Sequence, residues 1–223
     1  MFLLLACLQT ATSSGPQAPD GPTAAVPVEP TAAAPVEPAP EPPCPSSTAA
    51  LVAQHPEQLD AADPRLQGSD LVVVRKSVRR VMRYDQGRLA AGSCWQTGLG
   101  FAPEGHKQRE GDGRTPEGFY TTSDKPWSQF YGAIAVHYPS ADDAEAAHAD
   151  GRISAATKQS IHASLQRGEK PNQSTAMGGE ILLHGGGGSS DWTLGCVALD
   201  NQDLDALRAA LPRSMKTTVL ILP

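Results

Sequence analysis

The sequence predicts an α+β domain with a mainly β core and two or three helices, preceded by a segment that cannot form a core. Short apolar runs separated by Gly, Asp and Pro turns fill much of the region after residue 70 and indicate strands. Segments that start near residues 140, 154 and 200 carry helix-capping residues. Of the 20 prolines, 11 lie between Pro16 and Pro45, which sets this N-terminal part apart from the domain.

The first ten residues, "MFLLLACLQT", contain an apolar run from Phe2 to Ala6 that ends at Cys7. Leu4 and Ala6 precede this cysteine by three residues and one, and the pattern resembles the lipobox of bacterial prolipoproteins. The positively charged start and longer apolar stretch of a signal peptide are missing. Either the natural start lies upstream of Met1 or Cys7 is incidental. We favour residues 1–7 as a truncated lipoprotein signal with Cys7 lipidated, which predicts a cell-envelope, periplasmic location with a lipid anchor at the membrane.

Residues 8–47 predict a disordered tether. They repeat loosely as "AAVPVEP" and "AAAPVEP", and alanine, proline and scattered acids bury too little apolar surface to offset the loss of backbone entropy. Proline favours the extended polyproline II conformation, so the tether is expected to be semi-rigid. The remaining residues, 48–223, are long enough for one domain with its own core.

Charge and hydropathy argue against a nucleic-acid partner and against a membrane-spanning segment in the domain. The chain has a formal net charge of −6, and four of its acids lie in the tether, so the domain itself is nearly balanced. A nucleic-acid partner needs clustered positive charge, which is missing, and we therefore expect none. No run of about 18 apolar residues occurs, so the domain is not expected to span a membrane.

The first half of the domain is predicted to contain mainly strands. An apolar run covers Leu71 to Val74, and a second one continues to "YDQG", where Asp85 and Gly87 suit a hairpin turn before the next strand. A loop rich in Gly, Asp and Pro, "REGDGRTPEG", then leads into a short strand at Phe119 to Thr122.

The second half alternates helices with short strands. Ser140 with Asp143 three residues later predicts a capped helix, and Ser154 to Gly168 predicts another. The strand Ile181 to Leu183 and the final strand in "TTVLIL" flank a third helix, which Asp200 is predicted to cap. The apolar face of that helix is formed by Leu204, Leu207 and Leu211.

The four cysteines leave an odd number if Cys7 is acylated. A disulfide between Cys44 and Cys94 is then possible in an oxidising compartment, which would leave Cys196 as a free thiol.

The stretch "HGGGGSSDWTLGC" places His184 at the end of one predicted strand and Cys196 at the start of another. If the two strands are neighbours, the imidazole can take the thiol proton and make the sulfur a strong nucleophile. Glycines allow backbone conformations closed to other residues and let a substrate approach the main chain. A phosphate-binding loop is a weaker interpretation, because no Gly-Lys-Ser/Thr follows the glycines. A zinc site is also weaker, because zinc needs three or four ligands and no further cysteine or histidine lies nearby in the sequence. A third interpretation stays open, in which Cys196 is a buried structural cysteine beside a core histidine, without a catalytic role.

The same stretch, together with "GDGRTPEGFY", resembles the L,D-transpeptidase catalytic domain of the YkuD type. "HYPSADDAEAA" and "MGGEILLHG" resemble its YafK-like branch, and the similarity covers about residues 70–222. Leu194 and Ala198 stand where much of the family has histidine and arginine, which fits that branch and its members that cut rather than make cross-links. The motif positions that match are His184, Gly185, Thr193, Gly195 and Cys196.

The resemblance implies a β-sandwich core and a thioester mechanism that needs no cofactor and no metal. Cys196 would attack a peptidoglycan stem peptide, His184 would accept the thiol proton, and a carbonyl at Gly185 or Gly186 would orient the imidazole. Backbone amides at Gly195 and Cys196 would hold the oxyanion. The product would be a 3-3 cross-link or a protein attached to the wall.

Four residues are candidates for contact with the stem peptide, and the chain is expected to act as a monomer. They are Arg114 in the "GDGRTPEG" loop, Tyr138, Trp192 and Thr193. Two alternatives stay open: a hydrolase on the same scaffold, either an L,D-carboxypeptidase or an amidase that releases a wall-linked lipoprotein, and a non-catalytic wall-binding module.

Overall fold

The computed structural model describes residues 44–223 of the 223-residue chain. The predicted signal at 1–7, the lipidation of Cys7 and the tether up to residue 43 lie outside the described residues. Within the described part, no helix combines the length and the apolar character needed to cross a bilayer.

Eight strands form one mixed, curled sheet, so the predicted α+β fold with a mainly β core is confirmed. The strand order is β3-β2-β1-β8-β4-β5-β6-β7, with parallel pairing of β1 with β8 and of β6 with β7. The strands are β1 Leu71–Arg75, β2 Arg80–Asp85, β3 Arg88–Gln96, β4 Gly118–Asp124, β5 Ile134–Val136, β6 Leu182–His184, β7 Val197–Ala198 and β8 Thr218–Leu222.

The predicted hairpin is confirmed as the turn between β2 and β3. Gln86 and Gly87 both have positive φ, at 46° and 74°. Two such residues in a two-residue connection match the right-handed twist of the strands they join.

The described residues contain four α-helices, where the sequence predicted two or three. They are α1 Thr48–Gln54, α2 Ala141–Ala149, α3 Ala155–Gln166 and α4 Asn201–Ala210, and a short 3₁₀ helix covers Pro64–Gln67. The unpredicted one, α1, has only seven residues and follows the proline-rich segment directly; Ser47 caps it by accepting from the Ala50 amide. At α2 the predicted start is confirmed as a complete capping box between Ser140 and Asp143.

The core lies on both faces of the sheet. Alternate residues of β1 point to opposite sides, with Val72 and Val74 in the larger apolar cluster and Leu71 and Val73 in the smaller one. The predicted apolar face of α4 is confirmed, because the two leucines of the helix and the one that ends it are all buried in the larger cluster. They are Leu204, Leu207 and Leu211.

The domain begins earlier than the sequence predicted, because residues 44–47 are already bonded to it. Cys44 forms a disulfide with Cys94 of β3. Tyr84 donates its hydroxyl hydrogen to the Pro45 carbonyl at 2.8 Å, and the Ser46 carbonyl accepts from the backbone amide of Leu89 at 3.0 Å. The tether can therefore extend no further than residue 43.

The Cys44–Cys94 disulfide is expected to stabilise the domain by joining its first residues to the edge strand β3. It spans a sequence separation of 50. Because a cross-link of this kind restricts the unfolded chain, replacing both cysteines by serine should lower the free energy of unfolding by about 2–4 kcal/mol. Urea unfolding followed by circular dichroism measures the change. An unchanged midpoint would show that this attachment contributes nothing to stability.

Candidate active site

His184 and Cys196 lie on one face of two neighbouring parallel strands. His184 ends β6 and pairs in register with Ala198 of β7, and Cys196 immediately precedes β7. Because side chains alternate along a strand, Cys196 and Ala198 project to the same side as His184. The contact of Cys196 with the apolar cluster that contains Leu182 agrees with this placement.

His184 is buried, and one of its nitrogens is fixed by the backbone. Nδ1 lies 2.6 Å from the Gly185 carbonyl oxygen. A carbonyl can only accept, so Nδ1 carries the hydrogen and the lone pair of the neutral ring is on Nε2. Burial lowers the pKa of the His184 imidazole, and the Gly185 carbonyl opposes this only in part. The ring is therefore a neutral base whose acceptor nitrogen is Nε2.

Two aromatic side chains enclose the imidazole. Phe130 stacks on it with ring centroids 4.6 Å apart and an interplanar angle of 28°. Trp192 meets it edge-on at 5.6 Å, and the indole Nε1–H donates to the Gly187 carbonyl at 3.0 Å. These contacts exclude water from the ring and fix its plane.

Cys196 is the free cysteine of the described residues, and its sulfur is a thiol in the resting structure. Sγ donates to the Glu180 carbonyl at 3.4 Å. Burial raises the pKa of the Cys196 thiol to about 11, with the Glu180 carboxylate adding to the shift. Among the described residues, no hydrogen bond joins Sγ to His184. Cys196 is therefore a neutral thiol and His184 a neutral imidazole on the same face of the sheet, without a resting thiolate.

Glu180 holds the sulfur in this resting position and was missed by the sequence analysis. Its backbone has φ at +55°, a conformation uncommon for a residue other than glycine. Its carboxylate forms ion pairs with Lys125 and with Lys170, the latter at 3.1 Å. These contacts fix the residue whose carbonyl accepts from Cys196. No local sequence pattern could have found it, because the contact joins residues that only tertiary folding brings together.

Thr193 fixes the turn that leads to Cys196. Its hydroxyl donates to the Cys196 carbonyl at 2.8 Å and accepts from the Gly195 amide at 3.1 Å. The Gly195 amide is therefore engaged, which corrects the expectation that it is free for an oxyanion. Gly195 has φ at +133°, and an added Cβ would lie 2.6 Å from the Arg114 carbonyl oxygen, so this position requires glycine.

The four glycines after His184 form a loop in which every amide is already bonded. The partners are Tyr131 O for Gly185, Asn201 Oδ1 for Gly186, Leu199 O for Gly187 and Asp200 Oδ1 for Gly188. A phosphate cradle needs amides that point at the ligand, so this loop does not form one. Asp200 precedes α4 as predicted, but its side chain bonds the loop instead of capping the helix.

The remaining three predicted substrate contacts have different outcomes. Tyr138 is fully buried, and its hydroxyl lies 3.4 Å from the carbonyls of Lys107 and Met177. It belongs to the core, which corrects its assignment to the cleft. The Arg114 guanidinium donates to the His106 carbonyl at 3.4 Å. Trp192 is 46% exposed and in contact with His184, and its contact with a substrate stays a prediction.

Several large apolar side chains are exposed around this site. Phe130 and Trp192 combine exposure with direct contact to His184, and Leu194 lies two residues before Cys196 at 73% exposed. No group of three His, Cys, Asp or Glu side chains suited to a metal occurs within residues 44–223.

Comparisons with protein families and with solved structures show what the chain is similar to. A model of the L,D-transpeptidase catalytic domain, YkuD, matches residues 69–221. The helical cell shape determining protein Pgp2 from Campylobacter jejuni, as its K307A mutant, is 25% identical with a TM-score of 0.46, over 69% of this chain and 46% of Pgp2. An L,D-transpeptidase from Xylanimonas cellulosilytica is 15% identical with a TM-score of 0.39, over 80% and 70%.

The chain thus spans about half the length of Pgp2. A search of curated proteins finds no significant match.

Because Cys196 is a neutral thiol, we can predict how its rate of alkylation by iodoacetamide depends on pH in the absence of substrate. Because only the thiolate reacts, the alkylation rate should rise about tenfold per pH unit from pH 7 and level off only near pH 11. Alkylation of Cys7 is measured on a Cys196→Ser variant, and its rate is subtracted from that of the wild type. His184→Gln should leave the pH profile unchanged. A rate plateau between pH 5 and 7 that His184→Gln abolishes would reveal a resting ion pair and contradict the assignment.

Proposed function

Because the chain belongs to the YkuD family of L,D-transpeptidase catalytic domains, we propose that it is a cysteine acyltransferase acting on peptidoglycan stem peptides. The observation that carries the proposal is the hydrogen bond from His184 Nδ1 to the Gly185 carbonyl. It leaves Nε2 as the proton acceptor of a neutral imidazole, on the face that also carries the Cys196 thiol.

Acylation begins when the stem peptide binds and Sγ leaves the Glu180 carbonyl. Nε2 of His184 takes the thiol proton as the sulfur attacks the carbonyl between the third residue, at its L-centre, and the fourth, D-residue. The carbon–nitrogen bond then breaks, and the imidazolium returns its proton to the leaving amine. A thioester on Cys196 and a free D-amino acid result.

The oxyanion formed in this step needs a donor near the sulfur. We assign it to the Cys196 amide, because the Thr193 hydroxyl already accepts from the Gly195 amide. The Thr193 bond to the Cys196 carbonyl supports this assignment, since it fixes the backbone at the nucleophile. Thr193 thus acts within the protein, and no direct substrate contact is needed to explain it.

An amine or a water molecule then resolves the thioester. With an amine acceptor the product is a 3-3 cross-link or a protein attached to the wall. Hydrolysis is the second candidate: an L,D-carboxypeptidase, or an amidase that releases a wall-linked lipoprotein. Leu194 and Ala198 favour it, because they replace the histidine and arginine common in the family, as in the YafK-like branch.

The cell envelope is the proposed location, because the substrate is found there. A lipid on Cys7 would hold the domain at the membrane through the Pro/Ala-rich segment, within the periplasm, and the domain would act as a monomer.

Labelling by a carbapenem tests whether Cys196 is the nucleophile. The wild-type protein should gain the mass of one carbapenem, because the Cys196 sulfur opens the strained lactam ring and forms a thioester with its carbonyl. Intact mass spectrometry before and after the reaction measures the adduct. Cys196→Ser should gain none. Equal adduct on the serine variant, or no adduct on the wild type, would favour the non-catalytic wall-binding module.

Product analysis with defined tetrapeptide muropeptides tests the reaction type. The wild-type protein should release the terminal D-amino acid, and mass spectrometry then distinguishes dimers, which require an amine acceptor, from trimmed monomers. His184→Ala should lower the turnover by about 100-fold or more, because proton transfer from the thiol loses its base. Wild-type rates in His184→Ala would contradict the role of the imidazole, and trimmed monomers alone would establish the hydrolase.

A further inference from the structure

The peptide bond between Gly185 and Gly186 is held from both of its ends. Its carbonyl accepts from His184 Nδ1 at 2.6 Å, and its amide donates to Asn201 Oδ1 at 2.9 Å. A peptide unit is planar, so its C=O and N–H point in opposite directions and rotate together. An anchor on the amide therefore fixes the direction of the carbonyl.

The loop supplies little rigidity of its own at this point. Gly186 and Gly187 have φ at +118° and +114°, and a chain of glycines has many accessible conformations. An added Cβ on Gly185 would lie 2.3 Å from Asn201 Oδ1, so this amide side chain occupies the space directly against the loop. The orientation of the Gly185 carbonyl thus depends on an external contact.

Helix α4 makes Asn201 a suitable anchor. Asn201 is its first residue, and the helix is fixed in the core by its buried Leu204 and Leu207. The preceding residue, Asp200, accepts from the Gly188 amide at 3.1 Å, so two consecutive side chains bond the same loop. The anchor therefore sits at the start of a helix that its own buried leucines fix in the core.

We infer that Asn201 is a positioning residue of the active site, which acts on His184 through the Gly185–Gly186 peptide. The inference rests on the proposed function. By holding the carbonyl toward Nδ1, Asn201 keeps the hydrogen on that nitrogen and leaves Nε2 free to accept the thiol proton. Asn201 contributes no group to the reaction itself, because its amide reaches the ring only through the peptide.

The test compares three variants of the full chain. Asn201→Leu removes the acceptor at similar volume, and Asn201→Asp keeps an oxygen acceptor. Gln202→Leu makes a matched change at the next, exposed position of α4. The rate of Cys196 acylation by a carbapenem at pH 8 should fall about 10- to 100-fold in Asn201→Leu, because the base is no longer held in its reactive geometry. It should stay within about threefold of wild type in the other two.

The tautomer of His184, read by ¹⁵N NMR of the imidazole, distinguishes positioning from a structural role. The wild type should hold its hydrogen on Nδ1, whereas Asn201→Leu should show a mixture with Nε2–H. Losing the carbonyl contact should also move the acid limb of the acylation profile to lower pH, since that contact raises the pKa of His184.

The outcomes separate this inference from the proposed function. A wild type that is not acylated at Cys196 would defeat the proposed function. An acylated wild type whose rate and tautomer Asn201→Leu leaves unchanged would overturn the role of Asn201 alone. If Asn201→Leu fails to fold, Asn201→Ala takes its place, with the same expected results.

Discussion

One hydrogen bond, from His184 Nδ1 to the Gly185 carbonyl, determines what the site can do. It selects the tautomer, and the tautomer decides which nitrogen can accept a proton. The bond exists because β6 ends at His184 and the chain turns directly into a glycine loop whose first carbonyl meets Nδ1. The rest of the site is arranged around this contact: β7 brings Cys196 to the same face, and Phe130 covers the imidazole.

The choice of a backbone carbonyl as the orienting group has an electrostatic consequence. A buried carboxylate would stabilise an imidazolium, whereas a neutral carbonyl does so only weakly, and burial then keeps the ring uncharged. The same burial keeps Cys196 protonated. The resting site thus avoids a buried ion pair, and the thiol donates to the Glu180 carbonyl. Under the proposed function, we therefore expect the thiol to be activated only in the complex with substrate.

The sequence predicted what local patterns determine and missed what distant segments contribute. The strands, the α2 capping box and the apolar face of α4 follow from periodicity and capping residues, and the His184 and Cys196 motif follows from residue chemistry. Glu180 and Asn201 carry no such signal, because each acts through one contact made by tertiary folding.

The corrections to Gly195 and Tyr138 have the same origin. The sequence does not show where the Thr193 hydroxyl points, so it could not reveal that this hydroxyl accepts from the Gly195 amide. Nor could it show that the Tyr138 hydroxyl meets two carbonyls in the core.

A crystal structure of the domain acylated at Cys196 by a carbapenem tests the central claim most directly. The account predicts that Sγ has left the Glu180 carbonyl, that His184 Nε2 lies within about 4 Å of the sulfur, and that Nδ1 still bonds the Gly185 carbonyl. An acylated sulfur with the imidazole turned away, or with its Nδ1 contact broken, would contradict it.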